Sequence, residues 1–365
     1  MVEQTPLFQD GICKEPIVPD KSHPPVGSTF AVADLFGRDS EMKTLQDAFF
    51  RACTKGETKS AVPRANNNTR ERELVLVSGP SGTGKTALVV RTLKPLVHKD
   101  PRQGFFLLGK FDQQERPESF YPVVQAITEL IASIRALNDD AMTRKTRDII
   151  RKIALEDRVL IDRVSALEEL LEVDDTDSTD QVSDALNKAT KGEEKRFGGA
   201  HAETRLIYSA ERLFRDLARV VGPIVLLLDD LQWSDRPTLN FLASFLEQDP
   251  PENILLVGTC RGNEVSIQDE LAVMLREVEA NGVWVNNIEL GNLNCETISN
   301  MISSSFGTKG DLSEFLARCI QEKTEGNAFY VVQLIRSLVS KGLLEQDTKN
   351  NGIGRVLQTK KIALR

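Results

Sequence analysis

Short apolar runs separated by segments of helical periodicity predict an alternating β/α chain. The apolar runs occupy residues 74–77, 104–109, 224–228, 254–261 and 283–290. The five unbroken apolar residues of 224–228 are typical of a strand that is buried on both faces of a parallel sheet. Because helical segments separate successive runs, we expect an α/β fold with a mostly parallel five-stranded sheet flanked by helices.

Helical segments surround these strands and then continue alone. Apolar residues at helical spacing predict helices at 122–136, 203–220, 237–248 and 267–280, and an earlier helix that begins near Asp39. From residue 294 the pattern is helical only, with segments at 295–303, 311–322 and 329–342. We therefore predict an α/β core over residues 31–293 and a small all-helical lid over residues 294–345.

Three segments depart from this pattern. Residues 1–30 are rich in proline and predict a flexible leader, and residues 346–365 predict a polar tail. Residues 137–200 interrupt the core as a helical and acidic insertion, in which eight acidic residues and no basic ones lie between Glu168 and Asp184. A solvated loop and a partner-binding acidic patch are both compatible with such a run.

Composition narrows the classes of protein. With 40% hydrophobic and 27% charged residues, the chain is expected to be a soluble globular protein. Its net charge of -8 argues against broad non-specific nucleic-acid binding. Five scattered cysteines without a Cys-x-x-Cys pair predict reduced thiols, and three scattered histidines predict no metal site. Without an apolar run near the ~20 residues of a membrane span, and without an evident signal peptide, a cytoplasmic protein is expected.

Candidate chemistry begins after the first strand. The eight residues there are Gly79, Pro80, Ser81, Gly82, Thr83, Gly84, Lys85 and Thr86. Strand, glycine-rich loop and helix in this order form the arrangement of a phosphate-binding loop, in which backbone N–H groups and a helix N-terminus face one anion. Lys85 is then placed to reach the β- and γ-phosphates, and the Thr86 hydroxyl to ligate Mg²⁺. The alternative is a glycine-rich turn without a ligand.

Further candidates flank this loop in the expected sheet. Ligands of parallel sheets bind outside the carboxyl ends of the strands. Asp229 is therefore placed to hold the Mg²⁺ hydration shell, and Asp230 to orient and deprotonate an attacking water, unless both only cap a turn. Arg261 follows the fourth run and is either a γ-phosphate contact or a surface arginine. Phe36 and Arg38 precede the core and either flank an adenine or serve ordinary packing.

Six stretches of the chain occur in the order found in one ATPase class. They are 36–41 (Phe-Gly-Arg-Asp-Ser-Glu), the phosphate-binding loop, 109–113 (Gly-Lys-Phe-Asp-Gln), 226–235 (Leu-Leu-Leu-Asp-Asp-Leu-Gln-Trp-Ser-Asp), 258–264 (Gly-Thr-Cys-Arg-Gly-Asn-Glu) and 326–329 (Gly-Asn-Ala-Phe). Together they resemble the AAA ATPase domain of the signal-transduction (STAND) ATPases. That class is similar to the ATPase of origin-recognition proteins and often stands ahead of sensor histidine kinases. The resemblance covers residues 31–345 without the insertion.

The resemblance implies a P-loop NTPase fold with ATP and Mg²⁺ as ligands. It implies that Asp229 is the Mg²⁺ carboxylate, that Asp230 occupies the catalytic-base position and that Arg261 is a sensor at the fourth strand. It also makes Asn327 part of a lid contact to nucleotide, followed by Ala328 where the family usually has proline.

The resulting hypothesis is a slow ATPase that acts as a signalling switch on a protein partner or a downstream module, with Lys85, Asp230 and Arg261 as catalytic residues. Slow turnover is expected because Asp230 is one methylene shorter than the glutamate of many AAA enzymes. One alternative is an origin-recognition-like DNA-associated ATPase, which needs a basic module after the lid, where the 20 residues 346–365 are too few. Another is a scaffold that binds nucleotide without hydrolysis.

Overall fold

The computed structural model describes residues 35–53, 72–100, 104–113, 119–172, 199–248, 252–262, 264–266, 268–307, 310–345 and 355–356. The predicted leader, the acidic run beyond residue 172 and most of the predicted tail lie outside these residues. Among the residues described, no helix combines the length and the apolar character needed to cross a membrane.

A single five-stranded sheet forms the centre of the molecule. Its strands are β1 (Glu73–Ser78), β2 (Phe105–Lys110), β3 (Ile224–Asp229), β4 (Ile254–Cys260) and β5 (Trp284–Glu289). Their order across the sheet is β2-β3-β4-β1-β5, and every neighbouring pair is parallel. Every residue of β3 and β4 is buried, as their apolar runs predict. The expected sheet flanked by helices is confirmed, and it is parallel throughout.

Helices cover both faces of the sheet. They are α1 (Asp39–Cys53), α2 (Lys85–Lys99), α3 (Tyr121–Ala136), α4 (Asp140–Glu156), α5 (Val159–Arg163), α6 (Ser165–Glu172), α7 (Gly199–Val221), α8 (Arg236–Glu247) and α9 (Glu270–Ala280). The helix predicted from residue 267 begins three positions later, because the Asp269 carboxylate accepts hydrogen bonds from the N–H and the hydroxyl of Ser266. These bonds hold the segment before α9 in a turn.

Alternate strand residues divide the core into two layers, because successive side chains of a strand point to opposite faces. Leu74 and Leu76 of β1 join the cluster that contains the buried faces of α3 through α9. Val75 and Val77 join the opposite cluster, which is closed by α1 and α2. The helices α4–α6, from the stretch 137–200, bury Ile150 and other apolar residues in the first of these clusters.

The lid has its own core. It consists of α10 (Cys295–Phe306), α11 (Asp311–Thr324) and α12 (Ala328–Ser340). Their apolar faces form a third cluster, against which Phe36 packs from the segment before α1. Asn294 caps α10 by accepting from the Thr297 N–H at 2.8 Å. A two-stranded antiparallel ribbon of Leu344–Glu345 and Arg355–Val356 follows α12.

Candidate nucleotide-binding site

The predicted phosphate-binding loop connects β1 to α2 at the carboxyl edge of the sheet. Gly79, Gly82 and Gly84 all have positive φ, of 147°, 80° and 94°. Residues other than glycine rarely adopt these backbone conformations. At Gly82 a Cβ atom would also lie 2.6 Å from the Asn327 side-chain oxygen. The loop therefore needs glycine both for its backbone conformation and for the close approach of the lid.

Lys85, the first residue of α2, holds its ammonium group over this loop. The side-chain nitrogen donates to the carbonyl oxygens of Gly79 at 2.9 Å and Pro80 at 3.0 Å. The residue is only 7% exposed, and this burial lowers the pKa of the ammonium, against the opposing charge of Asp230. A buried cation that donates to neutral carbonyl groups fits an anionic ligand at the loop.

Asp229 ends β3 with its carboxylate buried between two hydroxyl groups. Thr86 Oγ1 and Thr259 Oγ1 each donate to Asp229 Oδ1 at 2.7 Å. The described residues contain no group of three or more His, Cys, Asp or Glu side chains arranged for a metal. One carboxylate beside one hydroxyl is the sparse oxygen set with which proteins hold Mg²⁺ when phosphates supply further ligands. Thr86 and Asp229 therefore fit the predicted metal site.

Asp230 leaves the strand in a left-handed conformation, with φ 64° and ψ 50°. Its N–H donates to Thr259 Oγ1 at 2.9 Å. Its Oδ1 atom accepts from Gln232 Nε2 at 2.9 Å and lies 3.6 Å from Arg261 Nε. The backbone conformation thus turns the second carboxylate away from Thr86 and towards Gln232 and Arg261 at the end of β4.

Arg261 is held beside Asp230 by several neighbours. Its guanidinium lies over the Trp233 ring, 4.4 Å from the ring centroid, and pairs with Glu264 at 2.8 Å. The preceding Cys260 is buried, and burial raises the pKa of its thiol to about 11. Burial therefore favours the protonated thiol of Cys260 near neutral pH.

A cavity of about 570 Å³ joins the loop to the lid. Loop residues 81–86, Asp230 and Arg261 line it. Phe36 and Arg38 line it from the segment before α1, and the lid contributes both apolar residues such as Met301 and Val332 and the polar Arg336. Arg38 is 9% exposed and donates to the Gly291 carbonyl oxygen at 2.5 Å, so it anchors this segment to the core as well as lining the cavity.

The lid contacts the loop directly. Asn327 Nδ2 donates to the Ser81 carbonyl oxygen at 2.8 Å, and the Phe329 N–H donates to the Gly82 carbonyl oxygen at 2.9 Å. Asn327 is not part of the cavity lining, and neither are Gly79, Pro80 and Asp229. Asn327 therefore links the lid to residues 81–82 of the loop.

Two residues of this arrangement were missed by sequence reasoning. Thr259 is fully buried and bonds to both neighbouring aspartates, and Gln232 bonds to Asp230 and to the Arg261 N–H at 3.1 Å. A hydroxyl residue directly after the apolar run 254–258 was a usable signal for Thr259. No comparable pattern marks Gln232, because its contacts depend on the turn that follows β3.

Comparisons with known proteins identify a family and one curated relative. Residues 34–257 match the family model described as the AAA ATPase domain. Hybrid signal transduction histidine kinase G of Dictyostelium discoideum is 21% identical over 336 residues, which cover 75% of this chain and 9% of that protein. This chain thus spans about a tenth of the length of that curated relative.

Two solved structures are also similar. A Walker-type ATPase of Pyrococcus abyssi aligns with a TM-score of 0.46 and 12% identity, covering 85% of this chain and 69% of that one. PCH-2 of C. elegans aligns with a TM-score of 0.33 and 11% identity, covering 84% and 69%. The family match spans more than half of the 365 residues, and the chain therefore belongs to the AAA ATPase domain family.

Proposed function

We propose that this chain binds Mg²⁺·ATP and hydrolyses it slowly, as a nucleotide-dependent signalling switch of the STAND type. The observation that carries the proposal is the meeting of three groups at one edge of the sheet. These are the buried ammonium of Lys85, the hydroxyl–carboxylate pair of Thr86 and Asp229, and the carboxylate of Asp230. A cation, a metal ligand pair and a separate base are the parts that phosphoryl transfer requires.

Binding is assigned to the loop and to Lys85. The backbone N–H groups of residues 79–86 and the N-terminus of α2 would cradle the phosphates, and the ammonium would neutralise their charge. Thr86 and Asp229 would hold Mg²⁺, which when bound supplies positive charge between the phosphate groups. Phe36 and Arg38, which also line the cavity, would flank the adenine.

Hydrolysis is assigned to Asp230, with Arg261 as a charged neighbour at 3.6 Å. Asp230 lines the cavity and, as a general base, would orient a water and accept its proton. Arg261 lies beside this carboxylate and would respond to the charge of the γ-phosphate. The short side chain of Asp230 and its pairing with Arg261 both favour slow turnover.

The switch role rests on the contact between lid and loop. Asn327 and Phe329 hydrogen-bond to the carbonyl groups of residues 81–82. A movement of the loop on binding or losing phosphate would therefore displace the start of α12. A relative named as a signal transduction histidine kinase is consistent with a signalling output through a protein partner or an attached module. The net charge of -8 disfavours the DNA-associated alternative.

Calorimetric titration of ATP with Mg²⁺ into wild type and Lys85→Ala tests the binding part of the proposal. Loss of a charge-assisted contact should lower the affinity at least about tenfold. Lys94→Ala is the matched control, because Lys94 is an exposed lysine of the same helix, outside the cavity lining. Equal affinity of Lys85→Ala and wild type, with both variants folded by circular dichroism, would contradict the phosphate-binding assignment.

A further inference from the structure

We infer that Gln232 is the positioning residue for Asp230, an inference that rests on the proposed hydrolysis. Its side-chain amide joins the carboxylate after β3 to the backbone at the end of β4. Nε2 donates to Asp230 Oδ1 at 2.9 Å, and Oε1 accepts from the Arg261 N–H at 3.1 Å. The amide nitrogen and the amide oxygen of Gln232 thus bond to Asp230 and Arg261, the two candidate catalytic residues at these strand ends.

A short helical turn that packs against β4 supports this bridge from Asp230 through Gln232 to Arg261. Residues Leu231–Trp233 form a 3₁₀ helix, in which the Trp233 N–H donates to the Asp230 carbonyl oxygen at 3.1 Å. Leu231 is fully buried and packs over Gly258 of β4, where a Cβ atom would lie 2.4 Å from Leu231 Cδ1. The close packing of Leu231 against Gly258 therefore fixes the turn on β4. This places Gln232 between the residues that follow β3 and β4.

The bridge determines which oxygen of Asp230 is engaged. Gln232 and Arg261 both contact Oδ1. With Oδ1 held on this side, Oδ2 is the oxygen left to orient a water in the cavity that Asp230 lines. Without the amide, the attraction between this carboxylate and the guanidinium of Arg261, which lies over the Trp233 ring, would draw the carboxylate towards Trp233.

A merely structural role for Gln232 is an alternative with different consequences. If the amide only stabilised the turn, its loss would lower stability and affinity together. If it positions Asp230, its loss changes the rate and leaves nucleotide binding intact, because the Gln232 side chain hydrogen-bonds to Asp230 and to the Arg261 N–H and not to residues 79–86 or Asp229 in the part of the chain that the structure describes. Comparing the change in kcat with the change in the dissociation constant separates the two roles.

Two variants of Gln232 test the inference. Gln232→Met keeps the length of the side chain and removes both hydrogen bonds, whereas Gln232→Glu keeps an acceptor for Arg261 and removes the donor to Asp230. Both should lower kcat about 10- to 100-fold while the dissociation constant for Mg²⁺·ADP and the KM for ATP stay at wild-type values. If Gln232→Met does not fold, Gln232→Glu decides.

Gln248→Met is the matched control, because Gln248 makes the same kind of amide-to-carboxylate bond, to Glu211 at 2.7 Å, outside the cavity lining. It should leave kcat unchanged even if the melting temperature falls. Wild-type kcat in the Gln232 variants, or a fall in kcat matched by an equal loss of Mg²⁺·ADP affinity, overturns this inference alone. A wild-type protein that releases no phosphate from ATP overturns it together with the proposed hydrolysis.

Discussion

Two neighbouring aspartates have different surroundings, and this separates their roles at the scale of single residues. Asp229 is 4% exposed and receives two hydroxyl hydrogen bonds on one oxygen. Asp230 is turned by its positive φ towards Gln232 and Arg261. One change of backbone conformation thus directs one carboxylate to the proposed metal and the other to the proposed water.

Asp229→Asn should reduce the benefit that Mg²⁺ gives to ATP binding, because an amide is a poorer ligand for a hard cation than a carboxylate. Calorimetric titrations with Mg²⁺ and with a chelator measure this benefit as the ratio of two affinities. Asp230→Asn serves as the control and should keep the wild-type ratio. An unchanged ratio in Asp229→Asn would remove Asp229 from the metal site.

The residues of the loop and the two aspartates were predictable from the sequence, since each stands at a fixed distance from a strand. Arg261 was predictable for the same reason. Thr259 and Gln232 contribute through side-chain hydrogen bonds whose partners depend on the left-handed conformation of Asp230. A sequence pattern of apolar runs does not determine that conformation, so their roles required the structure.

At the scale of elements, the turn after β3 is the part on which the site depends most. Leu231 fits against Gly258 because glycine has no side chain there. β4 therefore serves both as a central strand and as the seat of the turn that carries Gln232 and Trp233.

Gly258→Ala should disturb this seat. The added Cβ would lie 2.4 Å from Leu231 Cδ1, so the turn must move, and we expect a loss of about 1–3 kcal/mol in the free energy of unfolding together with reduced phosphate release. Urea unfolding and a phosphate-release assay measure the two effects. Gly291→Ala is the control, because nothing lies within 4 Å of its added Cβ. If Gly258→Ala were as stable as wild type, the close packing of Leu231 against Gly258 would be contradicted.

An ion pair between Asp157 and Arg205 joins the α4–α5 connection to α7. Asp157 accepts from Arg205 at 2.5 and 2.8 Å and from the Val159 N–H at 2.9 Å. Burial raises the pKa of Asp157, but the hydrogen bonds from Arg205 and Val159 and the Arg205 charge outweigh it and hold the pKa below its usual value. The carboxylate therefore contributes stability above its unfolded pKa of about 4 and loses it as pH falls through the lower, folded value.

Asp157→Asn should lower the free energy of unfolding by roughly 1 kcal/mol at neutral pH, a modest value because Arg205 is 39% exposed. The difference from wild type should shrink below about pH 4, where the carboxyl of the unfolded wild-type chain becomes protonated, and it should vanish below the lower pKa of the folded protein. Urea unfolding across this range measures it. Glu314→Gln, which removes an exposed ion pair with Arg318, is the control and should change stability by less than about 0.5 kcal/mol. A difference independent of pH would contradict the assigned titration.

At the scale of the whole molecule, the fold brings distant segments to one cavity. The parallel sheet places the ends of β1, β3 and β4 at the same edge, and the lid closes the space above them. The alternation of strands and helices made this edge predictable. The docking of α4–α6 into the main core and the bonds from Asn327 and Phe329 to the loop were not, because they are long-range contacts between separate elements.

Phosphate release from Mg²⁺·ATP by wild type and by Asp230→Asn is the most direct test of a hydrolysing switch. The substitution removes the proposed base and keeps the loop, Lys85 and Asp229. Wild type should release phosphate above the rate in buffer, and Asp230→Asn should be slower by about 10²–10⁴-fold at unchanged ATP affinity, as expected for the loss of a general base. A wild-type rate equal to buffer, or an Asp230→Asn rate equal to wild type, would contradict the proposed hydrolysis at Asp230.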